Sequence, residues 1–212
     1  MISQFPDNLT ASAPAHAAVP HDSFEHPRDF LENQFVYLVI SSRARGLSVG
    51  VNVNPVTQCT FNCLYCEVDR KEPPRAAAFD VDRMAMELRQ TLRMAHKSKL
   101  RLLPKFARVP QDLLEVRHVA LSGDGEPTLS KHFTEALQAV VHLRAVDKFF
   151  KIVVITNSTA LDQPAVAHGL KLLTRDDEIW AKLDGGTQQY IERINGATVS
   201  LEKIMRNILR VG

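Results

Sequence analysis

The sequence predicts an α/β fold in which helices pack on a mainly parallel sheet. Short β-branched apolar runs alternate along the chain with longer stretches of helical periodicity. Polar or glycine-containing loops come directly after those runs. Strands that alternate with helices form βαβ units, with parallel strands and right-handed crossovers. Their following loops lie at the edge of the sheet where α/β folds place functional sites.

Composition indicates one globular, water-soluble unit. The chain has 212 residues, of which 45% are hydrophobic and 24% charged, with a formal net charge of +2. No apolar run approaches the ~20 residues that a membrane span needs, and the first residues lack the basic and apolar regions of a secretory signal. Three cysteines, an odd number, argue against a disulfide framework. We therefore expect a cytoplasmic protein in a reducing compartment.

Two regions are predicted, a disordered tail over residues 1–27 and a folded core over 28–212. The tail is rich in Ala, Pro and polar residues. The core opens with a strand or strand-like lead-in over 33–40. In the next strand, 49–54, Val alternates with Gly and Asn until Pro55 ends the pattern. The cysteines follow at once, so we expect them on a loop at the C-terminal end of this strand.

The later elements continue the alternation. Strands are predicted over 116–122, 151–156 and 178–184, and helices over 80–96, 130–146, 162–173 and 200–209. Ser130 is a candidate N-cap for the second helix, and Pro164 stands near the start of the third, where proline is tolerated.

A basic segment runs from Arg89 to Arg108, with seven Lys or Arg residues and no acid. A solvated helix face that runs into a proline-containing loop is the simplest interpretation. Contact with nucleic acid is the alternative.

All three cysteines lie in the stretch CTFNCLYC, as Cys59, Cys63 and Cys66. A zinc site needs four ligands, so a distant histidine would have to complete it. A redox pair would use Cys63 and Cys66 and leave Cys59 unexplained. A [4Fe–4S] cluster fits better, because three thiolates can bind three irons and leave the fourth open to a substrate or cofactor.

The spacing C-x3-C-x2-C, with Tyr65 before the last cysteine, resembles the signature of the radical S-adenosylmethionine (radical SAM) superfamily. The loop GDGEPT (123–128) resembles the family's Gly-Gly-Glu-Pro loop, although Asp124 replaces the first glycine. TNST (156–159) and KLDGG (182–186) are similar to strand ends in the family's barrels. The resemblance implies a partial (β/α) barrel of the radical SAM type.

The resemblance also implies an activity. The three cysteines would ligate a [4Fe–4S] cluster, and S-adenosylmethionine (SAM) would bind the open iron through its amino and carboxylate groups. Reductive cleavage would give a 5′-deoxyadenosyl radical that abstracts hydrogen from an unknown substrate, with an electron donor such as flavodoxin or ferredoxin. An iron–sulfur or zinc binding module without SAM chemistry is the alternative.

By the same resemblance, Tyr65 would flank the adenine, or else be an aromatic packed beside the cluster. The loop that would meet the SAM amino group consists of Gly123, Asp124, Gly125, Glu126 and Pro127, with an ordinary Gly-Pro turn as the alternative.

Two later strand ends also resemble cofactor contacts of the family. Asn157 and Ser158, with Thr159, would approach the cofactor, unless they form a helix-capping turn. Lys182 and Asp184 would contact its ribose, unless they form an exposed ion pair.

Within the superfamily, the stretches 42–55 and 182–195 are similar to uncharacterised members that resemble wybutosine-type tRNA-modifying enzymes, so RNA is a candidate substrate. A glycyl-radical activase is the alternative. Such barrels ordinarily have six βα units, whereas four core strands are predicted here. We therefore expect the chain to be a fragment, with residues 210–212 opening a fifth strand. The alternatives are that a partner or a second copy supplies the missing wall, or that the lead-in strand over 33–40 covers an edge of the sheet.

Overall fold

The computed structural model describes residues 30–212, except 72 and 75. The tail predicted over 1–27 lies outside the described residues. The strands are β1 (Val36–Ser41), β2 (Gly46–Asn52), β3 (Val116–Ser122), β4 (Lys151–Thr156) and β5 (Glu178–Ala181). The α-helices are α1 (Val81–His96), α2 (Phe133–Val146), α3 (Pro164–Leu170), α4 (Gln188–Asn195) and α5 (Leu201–Val211).

The five strands form one sheet in the order β1-β2-β3-β4-β5. β2 to β5 are mutually parallel, which confirms the predicted α/β class. The predicted lead-in is β1, an edge strand that pairs antiparallel with β2. It covers the edge of β2, on the side of the sheet opposite to β5.

The main hydrophobic core lies between one face of the sheet and the helices. In β2, Leu47, Val49 and Val51 point to this face with no exposed area. The helical periodicity of α1 brings Met84 and Leu88 against them, both fully buried. Burying a side chain of this size stabilises the fold by about 1.5–3 kcal/mol, so the apolar spacing along α1 fixes how it docks.

The opposite face of the sheet carries polar side chains. Ser48 on β2 lies 2.8 Å from His118 Nε2 on β3. The Tyr37 hydroxyl of β1 lies 2.7 Å from Ser122 Oγ at the end of β3. Between them, a Cβ on Gly50 would come within 2.3 Å of the Tyr37 ring, so only glycine lets the ring lie flat across β2.

The predicted start of the second helix is wrong. α2 begins at Phe133 with His132 as its N-cap residue. Ser130 instead ends the 3-10 turn Pro127–Leu129 and accepts a hydrogen bond from His132 N. The Ser130 hydroxyl therefore closes a separate turn before the helix. The sequence pattern alone does not distinguish a serine in that role from a helix N-cap.

The end of the chain is helical, which corrects the expected fifth strand. α5 continues through Arg210 and Val211. The partly buried Val211 packs against the main core, and the helix ends two residues beyond its predicted end. Two strand bounds also shift: the strand predicted over 49–54 is Gly46–Asn52, and that over 178–184 ends at Ala181.

Helix α4 was not among the predicted elements. It is short, and its buried side chains are only Ile191 and Asn195, so the apolar period is too brief to recognise. Its ends are nevertheless marked, since Thr187 accepts a hydrogen bond from Tyr190 N and Gly196 ends the helix with φ of 54°.

The basic segment begins on α1 and continues through the 3-10 helices Lys99–Leu102 and Pro104–Phe106, as expected for a helix face that runs into a proline-containing loop. A surface groove of about 280 Å³ along it is lined by Met86, Arg89, Gln90, Arg93, Met94, Lys97 and Lys99. No helix in the described part of the chain has the length and apolar character to cross a membrane.

Candidate active site at the carboxyl ends of the parallel strands

The loops that follow β2, β3, β4 and β5 meet at one edge of the sheet, because parallel strands direct their carboxyl ends the same way. They enclose a cavity of about 490 Å³, within the range of about 300–1,000 Å³ typical of small-molecule sites. Its walls are formed by Cys59, Phe61, Cys63, Tyr65, Cys66, Glu67, Val68, Arg70, Ser122, Gly123, Asp124, Gly125, Glu126, Pro127, Ile155, Thr156, Asn157 and Lys182.

Asn54 joins the loop that carries Cys59, Cys63 and Cys66, here called the cysteine loop, to the loop after β3. Its amide donates to the carbonyls of Gln58 and Glu126, at 2.9 Å each. The backbone carbonyl of Asn54 accepts a hydrogen bond from Gly125 N at 3.2 Å. The backbone carbonyl of Gln58 accepts one from Glu126 N at 2.8 Å. A Cβ on Gly125 would lie 2.3 Å from Gln58 O, so glycine is required for this close approach.

Asn52 forms two hydrogen bonds with Asp124, the residue that stands in place of a glycine in the loop after β3. Its Nδ2 donates to Asp124 Oδ2 at 2.6 Å, and Asp124 N donates to its Oδ1 at 3.1 Å. Gly123 has φ of 143°, and a Cβ there would lie 2.1 Å from Asn52 Oδ1. The loop after β3 thus depends on a glycine and on an asparagine of the neighbouring strand.

The Glu126 carboxylate is buried and accepts four hydrogen bonds. Thr156 Oγ1 and Thr128 Oγ1 donate at 2.6 Å each, Thr128 N at 3.2 Å and Asn157 N at 2.7 Å. Burial raises the pKa of this carboxyl, and the four donors oppose that shift. Three of these donors reach Oε1 and one, Asn157 N, reaches Oε2, so protein groups hold most of the acceptor positions of this carboxylate.

Asn157 faces the cysteine loop from the end of β4. Its Nδ2 lies 2.9 Å from Thr60 Oγ1 and 3.5 Å from Cys59 Sγ, while its Oδ1 accepts from Thr159 N at 3.1 Å. Ser158 next to it adopts φ of 69°, a strained conformation for a residue with a side chain. Ser158 is fully buried and is not part of the cavity wall.

The three cysteines are free and differ in exposure. Cys59 and Cys63 are half-buried, whereas Cys66 is exposed. Lys182 Nζ lies 3.6 Å from Cys63 Sγ. Among residues 30–71, 73–74 and 76–212, no group of three His, Cys, Asp or Glu side chains is arranged to hold a metal ion. All three cysteines line one cavity, and N–H donors lie beside Cys59 and Cys63, which suits thiolate ligands of a cluster.

Tyr65, Lys182 and Asp184 form a polar cluster beside Cys63. Lys182 Nζ lies 4.5 Å from the Tyr65 ring centroid and 3.8 Å from Asp184 Oδ2, and the Tyr65 hydroxyl donates to the same carboxylate. Burial and then Asp184 raise the pKa of Tyr65. Burial would lower the pKa of Lys182, but Tyr65, Cys63 and Asp184 outweigh it and raise that pKa. Lys182 is therefore a half-buried cation that lies next to the Cys63 sulfur and pairs with Asp184.

Helix α4 supports the cysteine loop from behind. The carbonyls of Ile194 and Asn195 accept hydrogen bonds from Leu64 N and Asn62 N, at 2.9 and 2.6 Å. A small second core joins the loop to α4 and α5, and it consists of Phe61, Ile191, Ala197 and Ile204. The loop is thus fixed on two sides, by the end of β3 and by α4.

Residues 53–212 match the family model of the Radical SAM superfamily. The chain belongs to the radical SAM superfamily. The match begins at the end of β2 and includes the whole cysteine loop, so it covers every wall of the cavity.

Two relatives of this radical SAM chain are UPF0026 proteins. One from Synechocystis sp. is 31% identical over 176 residues, which is 82% of this chain and 57% of the relative. One from Helicobacter pylori is 29% identical over 178 residues, 82% of this chain and 51% of the relative. The chain therefore spans about half the length of these curated relatives.

Among solved structures, the radical SAM chain is similar to the structure of TYW1 with a lysine–pyruvate adduct bound. The TM-score is 0.48 at 16% sequence identity, over 90% of this chain and 57% of that one.

In this radical SAM domain, most of the predicted site residues lie on the cavity wall: Cys59, Cys63, Tyr65, Cys66, Gly123, Asp124, Gly125, Glu126, Pro127, Asn157 and Lys182. Ser158 and Asp184 lie behind it. The predictions missed Asn52, Asn54 and Asn195. Asn52 ends β2 and Asn54 follows it, and both interrupt the apolar sequence there, a signal that polar groups are needed. Asn195 lies on the helix that was not recognised.

Proposed function

We propose that this protein binds a [4Fe–4S] cluster through Cys59, Cys63 and Cys66 and uses SAM to abstract hydrogen from a substrate. The observation that supports this most directly is that the three thiols and the loop after β3 share one cavity. When bound, the cluster and SAM supply the one-electron chemistry that yields the 5′-deoxyadenosyl radical. The residues of the protein would then bind the cluster, orient SAM and the substrate, and exclude water.

Holding the thiolates is the first task of the chain. Asn157 and Lys182 place N–H groups near Cys59 and Cys63, and positive charge or N–H donors favour thiolate over thiol. The apolar side chains of Phe61 and Ile155 form part of the wall. They would keep water from the reacting centre.

Binding the amino acid part of SAM is the second task. Gly123 and Gly125 let the backbone after β3 come close to a ligand. Asp124 supplies a carboxylate on the wall that can accept from an ammonium group as well as from Asn52. Glu126 acts as a positioning residue, because its hydrogen bonds join the β3 loop to the end of β4.

The proposed contacts with the adenosine part of SAM rest on which residues line the cavity and which lie behind its wall. Tyr65 and Lys182 lie on the wall and are proposed to contact adenine and ribose. Asp184 and Ser158 would act from behind it, Asp184 by orienting the Tyr65 hydroxyl.

The partners are proposed at the level of chemical class. A flavodoxin or ferredoxin would donate the electron in a reducing cytoplasm, in keeping with three free thiols among the described residues. RNA is a candidate substrate, since no acid interrupts the basic segment from Arg89 to Arg108. Profiling RNA modifications in a deletion strain would test this, and an unchanged profile would exclude RNA as the substrate.

Anaerobic reconstitution tests the main proposal. We expect iron and sulfide in the proportion of a [4Fe–4S] cluster and, with dithionite and SAM, release of 5′-deoxyadenosine. A cluster without 5′-deoxyadenosine would favour an iron–sulfur module that lacks SAM chemistry. Zinc in place of iron would favour a zinc module.

A further inference from the structure

Asn195 is the last residue of α4, and its side chain is enclosed behind the cysteine loop with no exposed area. Its backbone carbonyl already accepts from Asn62 N at 2.6 Å. The following Gly196 turns the chain away in the left-handed conformation, with φ of 54°. The helix end therefore aims this side chain at the loop between Asn62 and Tyr65.

The Asn195 amide nitrogen faces three groups. Nδ2 lies 3.2 Å from Cys63 Sγ, 2.5 Å from Asp184 Oδ2 and 3.4 Å from the Tyr65 hydroxyl. The amide has two N–H donors. The contact with the Tyr65 hydroxyl is the longest of the three, so the two donors are assigned to the Asp184 carboxylate and to the Cys63 sulfur.

The opposite assignment of the amide is unfavourable. It would set Asn195 Oδ1 against the Asp184 carboxylate, with two acceptors in contact. In the assigned orientation, Oδ1 is buried without a partner among the described residues. An unsatisfied buried acceptor costs free energy, so the contacts of the nitrogen must outweigh that cost.

We infer that Asn195 is a positioning residue for Cys63 and that its N–H···S hydrogen bond raises the reduction potential of the cluster. This inference rests on the proposed function. An N–H donor withdraws electron density from a thiolate, which stabilises the more negatively charged reduced cluster. The cluster takes up one electron from the external donor, and Asn195 changes only how favourable that step is.

The test compares Asn195→Leu with Asn207→Leu, after anaerobic reconstitution. Leucine is similar in size to asparagine but donates no hydrogen bond. Asn207 is a matched control, since it is also buried and helical, but its amide donates to Ser158 O at 2.8 Å rather than to a sulfur. The readouts are iron content and the midpoint potential from a titration followed by electron paramagnetic resonance.

We expect Asn195→Leu to have a more negative midpoint potential than both the wild type and Asn207→Leu. An unchanged potential with a full cluster would overturn the inference. If Asn195→Leu does not fold, Asn195→Ala, which removes the donor with less crowding, is titrated in its place. Equal shifts in the Asn195 and Asn207 variants would also overturn the inference.

The wild-type protein provides a second measurement. In D2O, electron nuclear double resonance of the reduced cluster should detect an exchangeable deuteron that is absent in Asn195→Ala. Identical spectra would contradict the hydrogen bond. Failure of the wild type to bind any cluster would instead refute the proposed function, so the two failures are distinguishable.

Discussion

The Glu126 carboxylate accepts hydrogen bonds from the ends of two loops that meet at the cavity. In Glu126→Gln, one oxygen becomes an NH2 group that faces a former donor. We expect the free energy of unfolding to fall by about 1–3 kcal/mol, the cost of leaving buried groups unsatisfied. Chemical denaturation of the cluster-free protein measures this change.

Glu135→Gln is the matched control for this substitution. Glu135 pairs with His132 at the surface, with its side chain 60% exposed, so we expect a change within about 0.5 kcal/mol. Equal stability of the two variants would show that the hydrogen bonds of Glu126 contribute nothing net.

Each of the three cysteines should be indispensable for the cluster. Because the chain has no other cysteine, alanine at Cys59, Cys63 or Cys66 removes a ligand that cannot be replaced. We expect near-complete loss of iron after anaerobic reconstitution. Leu64→Ala is the control, since Leu64 lies in the same loop but is 75% exposed. Full iron content in any of the cysteine variants would contradict the assignment of three thiolates.

The turn between α4 and α5 should be sensitive to the loss of its glycine. A Cβ on Gly196 would lie 3.1 Å from Asn62 Cβ, and a φ of 54° disfavours any side chain. Gly196→Ala should therefore cost about 1–2 kcal/mol of stability and, by moving the cysteine loop, lower iron retention. Thermal unfolding and iron assay measure the two effects.

Gly186→Ala separates this strain from the general effect of adding a methyl group. Nothing lies within 4 Å of a Cβ at Gly186, so stability and iron content should remain near those of the wild type. If Gly196→Ala behaved in the same way, docking of the loop on α4 would not matter for the cluster.

The stability of the whole protein should depend on the protonation of His118. This residue of β3 is buried, and its ring contacts the side chains of Ser48 on β2 and Trp180 on β5. Burial lowers its pKa, which Glu178 partly offsets and Lys151 reinforces. Between that lowered pKa and about 6.5, the unfolded chain binds more protons than the folded one. The stabilising contribution of neutral His118 is therefore fully present above about pH 6.5, and it is lost as the pH falls through the lowered pKa.

His118→Phe should flatten this decline, because it keeps a ring beside Trp180 but cannot titrate. Denaturation at several pH values between 5 and 8 measures the slope. Ser48→Ala should keep the wild-type slope, since it removes the hydrogen bond but not the histidine. His96, whose pKa burial also lowers, is present in every protein compared. An identical slope in His118→Phe would contradict the assignment.

The sequence predicted the parallel sheet because its signals are local. The runs at 116–122 and 151–156 are strands with the predicted bounds, and α1 follows the spacing of Met84 and Leu88. Burial on one face imposes these periods on the sequence. Where burial is slight, as along α4, the period disappears and the element was missed.

Four segments of the candidate site were likewise predicted from the sequence, because residue types and spacing mark them. They are the three cysteines, Gly123 to Pro127, Asn157 and Lys182, and all of them line the cavity. Their placement after strands also predicted that they would meet, since parallel strands end at the same edge of a sheet.

Only the tertiary structure decided which partner each side chain has. Glu126 bonds to the end of β4, Asp124 to Asn52, and Asn195 to Cys63. These pairs are separated by 30, 72 and 132 positions along the chain. Local periodicity reports which face of an element is buried, whereas hydrogen-bond partners depend on how distant elements pack, a property that no short window of sequence contains.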